Sequence, residues 1–294
     1  MIALSGTGVA IVTPFNKNKE VDFKSLGKLI DYIIEGGVQY VVTLGTTGET
    51  PVLSKEEKID IINFTFDHIK DRVPVIVGMA GNDTASLIND VQQYPLQKAV
   101  AILSAAPFYN KPSQEGLFQH YKSVAKSTDK PILLYNVPAR TGKNINVSTI
   151  LRLANEVENI VGIKEASGDM LQCMDILKNR PDNFLVVSGD DSLALPQMAC
   201  GMNGVISVAA NAFPAEFSTM IKHCLQQDYL SAKLMNDKLI QAYQIMFEEN
   251  NPAGVKAFLS EMNIIQNELR LPLVPLSEHL HKQVKVFLTN YNKN

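Results

Sequence analysis

Short apolar runs recur along the chain roughly every 25–35 residues, with longer stretches of helical periodicity between them. The runs cover residues 8–13, 40–44, 73–78, 100–105, 132–135, 160–164, 185–188 and 204–208. They are nearly continuous in Val, Ile, Leu and Ala, the pattern of strands covered on both faces in a parallel sheet. The stretches between them are amphipathic. Phe23, Leu26, Leu29, Ile30, Ile33 and Ile34 fall on one helical face. Ser54-Lys55-Glu56-Glu57 has the spacing of a capping box and opens a helix carrying Ile59, Ile62 and Phe66.

Eight βα units predict a closed (β/α)8 TIM barrel over residues 1–227. A doubly wound open sheet is the alternative, but no G-x-G-x-x-G turn follows the first strand. After about Gln227 the strand rhythm stops. Residues 228–294 read as a helical C-terminal extension, broken near Asn251-Pro252 and Leu271-Pro272.

Composition narrows the function classes. The chain has 294 residues, 46% hydrophobic and 19% charged, the balance of a globular protein with a sizeable core. A net charge of −3 gives no electrostatic reason to expect nucleic acid or an anionic membrane. Cys173, Cys200 and Cys224 are few and scattered, as expected for free thiols. The start, Met1-Ile2-Ala3-Leu4-Ser5-Gly6, lacks the basic and apolar regions of a signal peptide, and no apolar run is long enough to span a bilayer. A cytoplasmic location is expected.

In a barrel, chemistry gathers at the C-terminal ends of the strands. Lys164 closes the sixth run, Ile160-Val161-Gly162-Ile163-Lys164. An amine at the rim of a core is either a solvated strand-end lysine or a nucleophile for a carbonyl. The second run enters Gly45-Thr46-Thr47-Gly48-Glu49, a loop whose amides and hydroxyls suit a small anion, a phosphate, or a purely structural turn. Tyr109 follows the fourth run and Tyr135 ends the fifth. Each is a candidate proton carrier or a core aromatic with a wet tip. Arg140, shortly after, can clamp a carboxylate. Asp190 and Asp191 could hold a metal but are better placed to cap the helix after them. His68, His120, His223, His279 and His281 avoid the predicted strand ends. That distribution favours imine chemistry over a metal-stabilised enolate, with no metal or other cofactor expected.

These segments, with Gly162-Ile163-Lys164-Glu165-Ala166-Ser167-Gly168, Gly204-Val205-Ile206-Ser207-Val208 and Leu269-Arg270-Leu271-Pro272-Leu273, resemble the dihydrodipicolinate synthase family of pyruvate-dependent class I aldolases. The resemblance runs in order along nearly the whole chain. It implies a lyase of diaminopimelate and lysine biosynthesis that joins pyruvate to aspartate-4-semialdehyde. Lys164 would form the imine. Tyr135, Thr46 and Tyr109 would relay protons, with Tyr109 reaching into a neighbouring subunit of a dimer or dimer of dimers. Thr46 and Thr47 would hold the pyruvate carboxylate, Arg140 would receive the aldehyde, and Gly189 and Ile206 would offer backbone contacts. Related N-acetylneuraminate lyases and 2-keto-3-deoxy sugar-acid aldolases are the alternative, and a non-catalytic small-molecule sensor is a remote one.

Two departures from the family pattern stand out. Asn251-Pro252-Ala253-Gly254-Val255-Lys256 lacks a second proline, and Gln97-Lys98-Ala99-Val100-Ala101 replaces a more usual Ala-Gly-Ala-Asp-Ala. Lysine-inhibited members bind lysine in a cleft that corresponds here to Thr50, Pro51, Lys55, Lys58, Asn82, Ser86 and Phe108. The carboxylate usual at Ser86 and the hydroxyl usual at Phe108 are missing. Lys55 and Lys58 add cations, so feedback by lysine is expected to be weak or absent.

Overall fold

The computed structural model describes residues 4–291; residues 292–294 of the predicted extension lie outside them. Eight parallel strands close in sequence order into a barrel. They are β1 (Gly6–Ala10), β2 (Tyr40–Thr43), β3 (Val75–Gly78), β4 (Ala101–Ala105), β5 (Ile132–Asn136), β6 (Ile160–Glu165), β7 (Leu185–Ser188) and β8 (Gly204–Ser207). Around them run α1 (Phe23–Glu35), α2 (Lys55–Ile69), α3 (Thr84–Gln93), α4 (Gln114–Lys126), the short α5 (Pro138–Thr141), α6 (Val147–Glu156), α7 (Met170–Asn179), α8 (Ala194–Ala199) and α9 (Pro214–Leu225). The C-terminal extension forms α10 (Tyr229–Glu248), α11 (Ala253–Glu261) and α12 (Glu278–Tyr291).

Alternation along each strand sorts side chains into two cores. Ala10, Tyr40, Val42, Ile76, Leu103, Leu133, Tyr135, Val187 and Ile206 fill the barrel. Their neighbours Val9, Val41, Val77, Ile102, Leu134, Ile163, Val186 and Val205 face the helices. Ile163 points outward, so Lys164 shares the inward register with Tyr135 and Val187, its partners across the ladder. The same outer core takes in Leu239, Tyr243, Phe258 and Phe287 of the extension, so its helices share the packing of the barrel.

Strand ends differ from the apolar runs for local reasons. The third strand begins at Val75 rather than 73 because Pro74 has no amide to give the ladder. The first ends at Ala10, and the next residues are held by the site side of the barrel. Asn211 accepts from the Val12 amide (3.2 Å), and the Thr13 hydroxyl donates to the Gly48 carbonyl (2.7 Å). The capping box forms as expected. Ser54 accepts from the Glu57 amide and Glu57 from the Ser54 amide.

His120 of α4 is buried, and its Nδ1 meets the Thr84 hydroxyl at 2.8 Å. Burial pulls its pKa down from 6.5 to about 4. The unfolded chain therefore takes up this proton near pH 6.5 and the folded chain only near 4. In that window the unfolded state binds more protons, so stability is intact above pH 6.5 and falls as the pH drops towards 4. The expected slope is up to about 1.4 kcal/mol per pH unit. Urea midpoints measured from pH 7 to 4.5 should fall less steeply in His120→Gln than in the parent; parallel curves would refute the assignment.

Candidate active site

The C-terminal ends of the strands surround a cleft of about 380 Å³. Lys164, only 4% exposed, stands in its floor with Nζ 4.4 Å from the centroid of the Tyr135 ring. Gly189 borders it because nothing larger fits. A Cβ there would stand 2.8 Å from Lys164 Cε and 2.7 Å from Ala166 Cβ. Thr46 and Thr47 begin a single 3-10 turn, Thr46–Gly48, whose first amides have no acceptor within the turn. Both residues line the cleft that also holds the Lys164 amine, a combination that suits a small carboxylate beside a carbonyl. Arg140 leaves the short α5 at the mouth and stays largely in solvent.

A polar layer behind the floor fixes the ends of β5 and β6. Glu165 is fully buried and accepts from Asn136 Nδ2 (3.0 Å), the Ser167 amide (2.7 Å) and Gln172 Nε2 (3.1 Å). Asn136 in turn accepts from the Ile145 amide. These bonds lie on the helix-facing side of the strands, so they brace Lys164 and Tyr135 without competing for the cleft.

The two aspartates divide the work expected of both. Asp190 accepts from the Ser192 and Leu193 amides and shapes the turn before α8. Asp191 does not cap it. Its side chain turns inward and accepts from the Ser207 hydroxyl and from the amides of Val208 and Ala209. Burial pushes its carboxyl up to about 6 against those bonds. The five histidines all lie on helices, as their positions implied.

The site loop is held from the extension. Glu49, the last residue of the Gly45–Glu49 loop, has left-handed backbone (φ 54°) and a fully buried side chain paired with Lys256 of α11. Glu49 also accepts from the Arg270 amide (3.1 Å), and Lys256 donates to the Glu268 carbonyl (2.9 Å). Burial pulls Lys256 down to about 8, opposed by the charge of Glu49. Arg270 forks onto Glu57 and lies over Phe15 beside Lys256. Closer to the cleft, Asn251 Nδ2 donates to Thr47 Oγ1 at 3.0 Å, and Arg140 Nη2 donates to Asn250 Oδ1 at 2.8 Å.

The sequence profile of the dihydrodipicolinate synthetase family matches residues 3–291. The chain belongs to the dihydrodipicolinate synthetase family. A 4-hydroxy-tetrahydrodipicolinate synthase of Parabacteroides distasonis is 46% identical over 98% of this chain and 97% of its own. The crystal structure of dihydrodipicolinate synthase from Thermotoga maritima superposes with a TM-score of 0.96 at 38% identity, covering 99% of both chains. The enzyme from Acinetobacter baumannii, solved with pyruvate, superposes with a TM-score of 0.95 at 40% identity, over 98% of this chain and 99% of that one.

Among the family residues expected at the site, Lys164, Tyr135, Thr46, Thr47, Arg140 and Gly189 line the one cleft. Ile206 lies below it in the barrel core, and Val208, two residues on, lines the wall instead. Tyr109 is 88% exposed, with left-handed backbone (φ 70°), and packs into no core of its own chain. Phe247, Asn250 and Asn251 line the cleft from the extension, and none is expected at the site from the sequence: Asn251 reads there only as part of a helix break and of a departing segment remote from the chemistry, yet it bonds Thr47. A neighbouring cleft of about 340 Å³ shares Thr46, Tyr135 and Arg140 and leads to Thr50, Pro51, Lys58 and Phe108. Lys55 does not join them as a second cation, since its Nζ is turned to Gln93 Oε1 of α3. A larger groove of about 700 Å³ between α1 and α2 is an open surface furrow on the outer face, away from the strand ends, and carries none of these groups.

Lys256→Met should leave Glu49 as a buried carboxylate without its cation, at a cost of about 3–5 kcal/mol. Adding Glu49→Gln, which keeps an acceptor for the Arg270 amide, should recover much of that loss. Denaturant midpoints of both single variants and the double variant measure the coupling. Strictly additive losses would mean that the pair does not act as a unit.

Proposed function

We propose that this chain acts as a 4-hydroxy-tetrahydrodipicolinate synthase, joining pyruvate to L-aspartate-4-semialdehyde through a Schiff base on Lys164. The observation that carries this is the placing of Lys164 Nζ beside Tyr135, in one cleft with Thr46 and Thr47 of the 3-10 turn and with Arg140. The amides and hydroxyls of Thr46 and Thr47 hold the pyruvate carboxylate and so set its keto carbon against Nζ. Attack gives a carbinolamine, which loses water to form the imine. The imine draws electrons from the methyl group, and loss of a methyl proton gives an enamine. The enamine carbon adds to the aldehyde carbon, whose oxygen takes a proton. The amino group of the former semialdehyde then attacks the imine carbon, closing the ring and freeing Lys164. One water leaves overall, and no external cofactor is needed. Tyr135 and Thr46 carry the protons, while Gly189 keeps the wall open. Ile206 packs in the barrel core beneath the cleft, and Val208 takes the place in the wall.

Tyr109 completes the relay from a neighbouring subunit. Its exposure and left-handed backbone are costly in an isolated chain and are accounted for if a partner covers it. A dimer is then the smallest complete enzyme, and a dimer of dimers is the assembly we favour. Residues 1–227 form the barrel unit and 228–294 the extension. No helix among the described residues is long and apolar enough to cross a membrane, and we assign the enzyme to the cytoplasm.

Pyruvate with borohydride should add mass at Lys164, and Lys164→Ala should abolish most activity. Mixing Lys164→Ala with Tyr109→Phe should restore part of it, because one mixed site keeps both groups. Trapping at a different lysine would sink the imine assignment. No recovery in verified mixed dimers would confine Tyr109 to its own subunit. Preference for N-acetylmannosamine over aspartate-4-semialdehyde would move the enzyme to the sugar-acid branch.

Feedback by lysine should be weak or absent. Lys58 lines the neighbouring cleft beside Thr50 and Phe108, where it meets a cationic ligand with like charge. Loss of one charge-assisted bond costs about 1.5–3 kcal/mol, or roughly ten- to a hundredfold in affinity. Half-inhibition at submillimolar lysine in a titration of the purified enzyme would contradict this.

A further inference from the structure

Arg140 is a long side chain at the mouth of the cleft, and a free guanidinium there would sample many rotamers. In the structure it is tied to one place. Nη2 donates to Asn250 Oδ1 at 2.8 Å and reaches the Asn251 carbonyl at 3.4 Å. Both acceptors sit in the turn between α10 and α11. Asn250 is itself fixed. Its backbone is left-handed (φ 80°), a conformation that asparagine tolerates, and its amide donates to the Phe247 carbonyl. Its Oδ1 also accepts from the Asn251 amide at 3.0 Å, so the oxygen meeting Arg140 is held by a second donor.

The chemistry of this acceptor matters as much as its position. An amide oxygen orients a guanidinium without cancelling its charge, whereas a carboxylate would neutralise it. With one edge engaged at Nη2, the remaining N–H groups stay available for two-point contact with an incoming carboxylate. We propose that Asn250 is a positioning residue for Arg140 and, through it, sets recognition of the aldehyde substrate. This rests on the assignment of Arg140 to the carboxylate of aspartate-4-semialdehyde. The next residue works on the other substrate, since Asn251 bonds Thr47 on the pyruvate side of the cleft.

Three variants test this, each assayed for both Michaelis constants and for borohydride trapping with pyruvate. Asn250→Gly keeps the left-handed backbone and removes the acceptor. It should raise KM for the aldehyde about three- to tenfold, the scale of one ordinary hydrogen bond, because the bond lost only positions Arg140 and does not touch the substrate, with pyruvate KM and trapping at Lys164 unchanged. Asn250→Asp keeps an acceptor of the same shape but cancels the charge of Arg140, so it should raise the aldehyde KM rather than restore it. A turn that merely needs an acceptor would be rescued by aspartate. Asn251→Ala should show the opposite selectivity, raising KM for pyruvate.

Equal shifts in both constants for Asn250→Gly, no shift at all, or rescue by aspartate would overturn the proposal. Arg140→Gln separates this failure from that of the underlying assignment. If Arg140→Gln leaves the aldehyde KM unchanged, the role of Arg140 is wrong and the proposal falls with it. If it raises that KM while Asn250→Gly does not, only the role of Asn250 is wrong. Asn250→Gly placed on Arg140→Gln should add nothing, because the two residues act through one contact.

Discussion

An ammonium and a carboxylate sealed from solvent determine where the loop from Gly45 to Glu49 sits. Glu49 and Lys256 are both completely buried, and each is satisfied by one further backbone group, the Arg270 amide and the Glu268 carbonyl. Removing two such charges from water is costly, and the cost is offset only while they face one another. Glu49 follows Thr46, Thr47 and Gly48 directly, so the loop cannot swing out without stranding a charge. The backbone strain at Glu49 is held by the same pair. The barrel supplies the lysine and the tyrosine, but the geometry of the Thr46–Gly48 turn depends on a helix that begins more than two hundred residues later.

Most of the barrel was legible because its signals are local. Runs of Val, Ile and Leu mark strands buried on both faces, and alternation along a strand decides which residues enter the barrel. Lys164 and Tyr135 stood out because they end such runs, and each proves to be on the inward register of a pair of hydrogen-bonded strands. Limits of the same signal explain the misplaced ends. An apolar run continues through Val12 after the strand has ended, because the last strand-to-strand bond is from the Ile11 amide to the Val42 carbonyl and Val12 is held by the Asn211 side chain instead. Pro74 trimmed the third strand by removing a donor, a local cue that the run of apolar residues masked.

The contribution of the extension was not legible, for a reason of distance along the chain. Asn250 meets Arg140 across 110 residues, Asn251 meets Thr47 across 204, and Lys256 meets Glu49 across 207. Asparagines before a proline read as turn formers, and a lysine on a helix reads as a surface cation. Only the fold turns them into the roof of a cleft. Asp191 escaped in the same way. It looks like half of a capping pair, yet it bonds the end of β8 and so joins two neighbouring walls of the site.

Gly254 stands where the family's usual motif carries its second proline, and α11 there approaches α10 more closely than any side chain permits. A Cβ at this position would stand 2.2 Å from the Met246 carbonyl oxygen and 2.5 Å from Met246 Cα. The obstacle is main chain, which no compensating substitution at 246 can remove. A proline therefore does not fit at 254 with α10 where it stands. Seating one would require α10 to move, and α10 ends at the turn that grips Arg140 and Thr47. The close approach of two helices thus ties position 254 to the shape of the cleft mouth, so that a side chain added there would be felt in the active site.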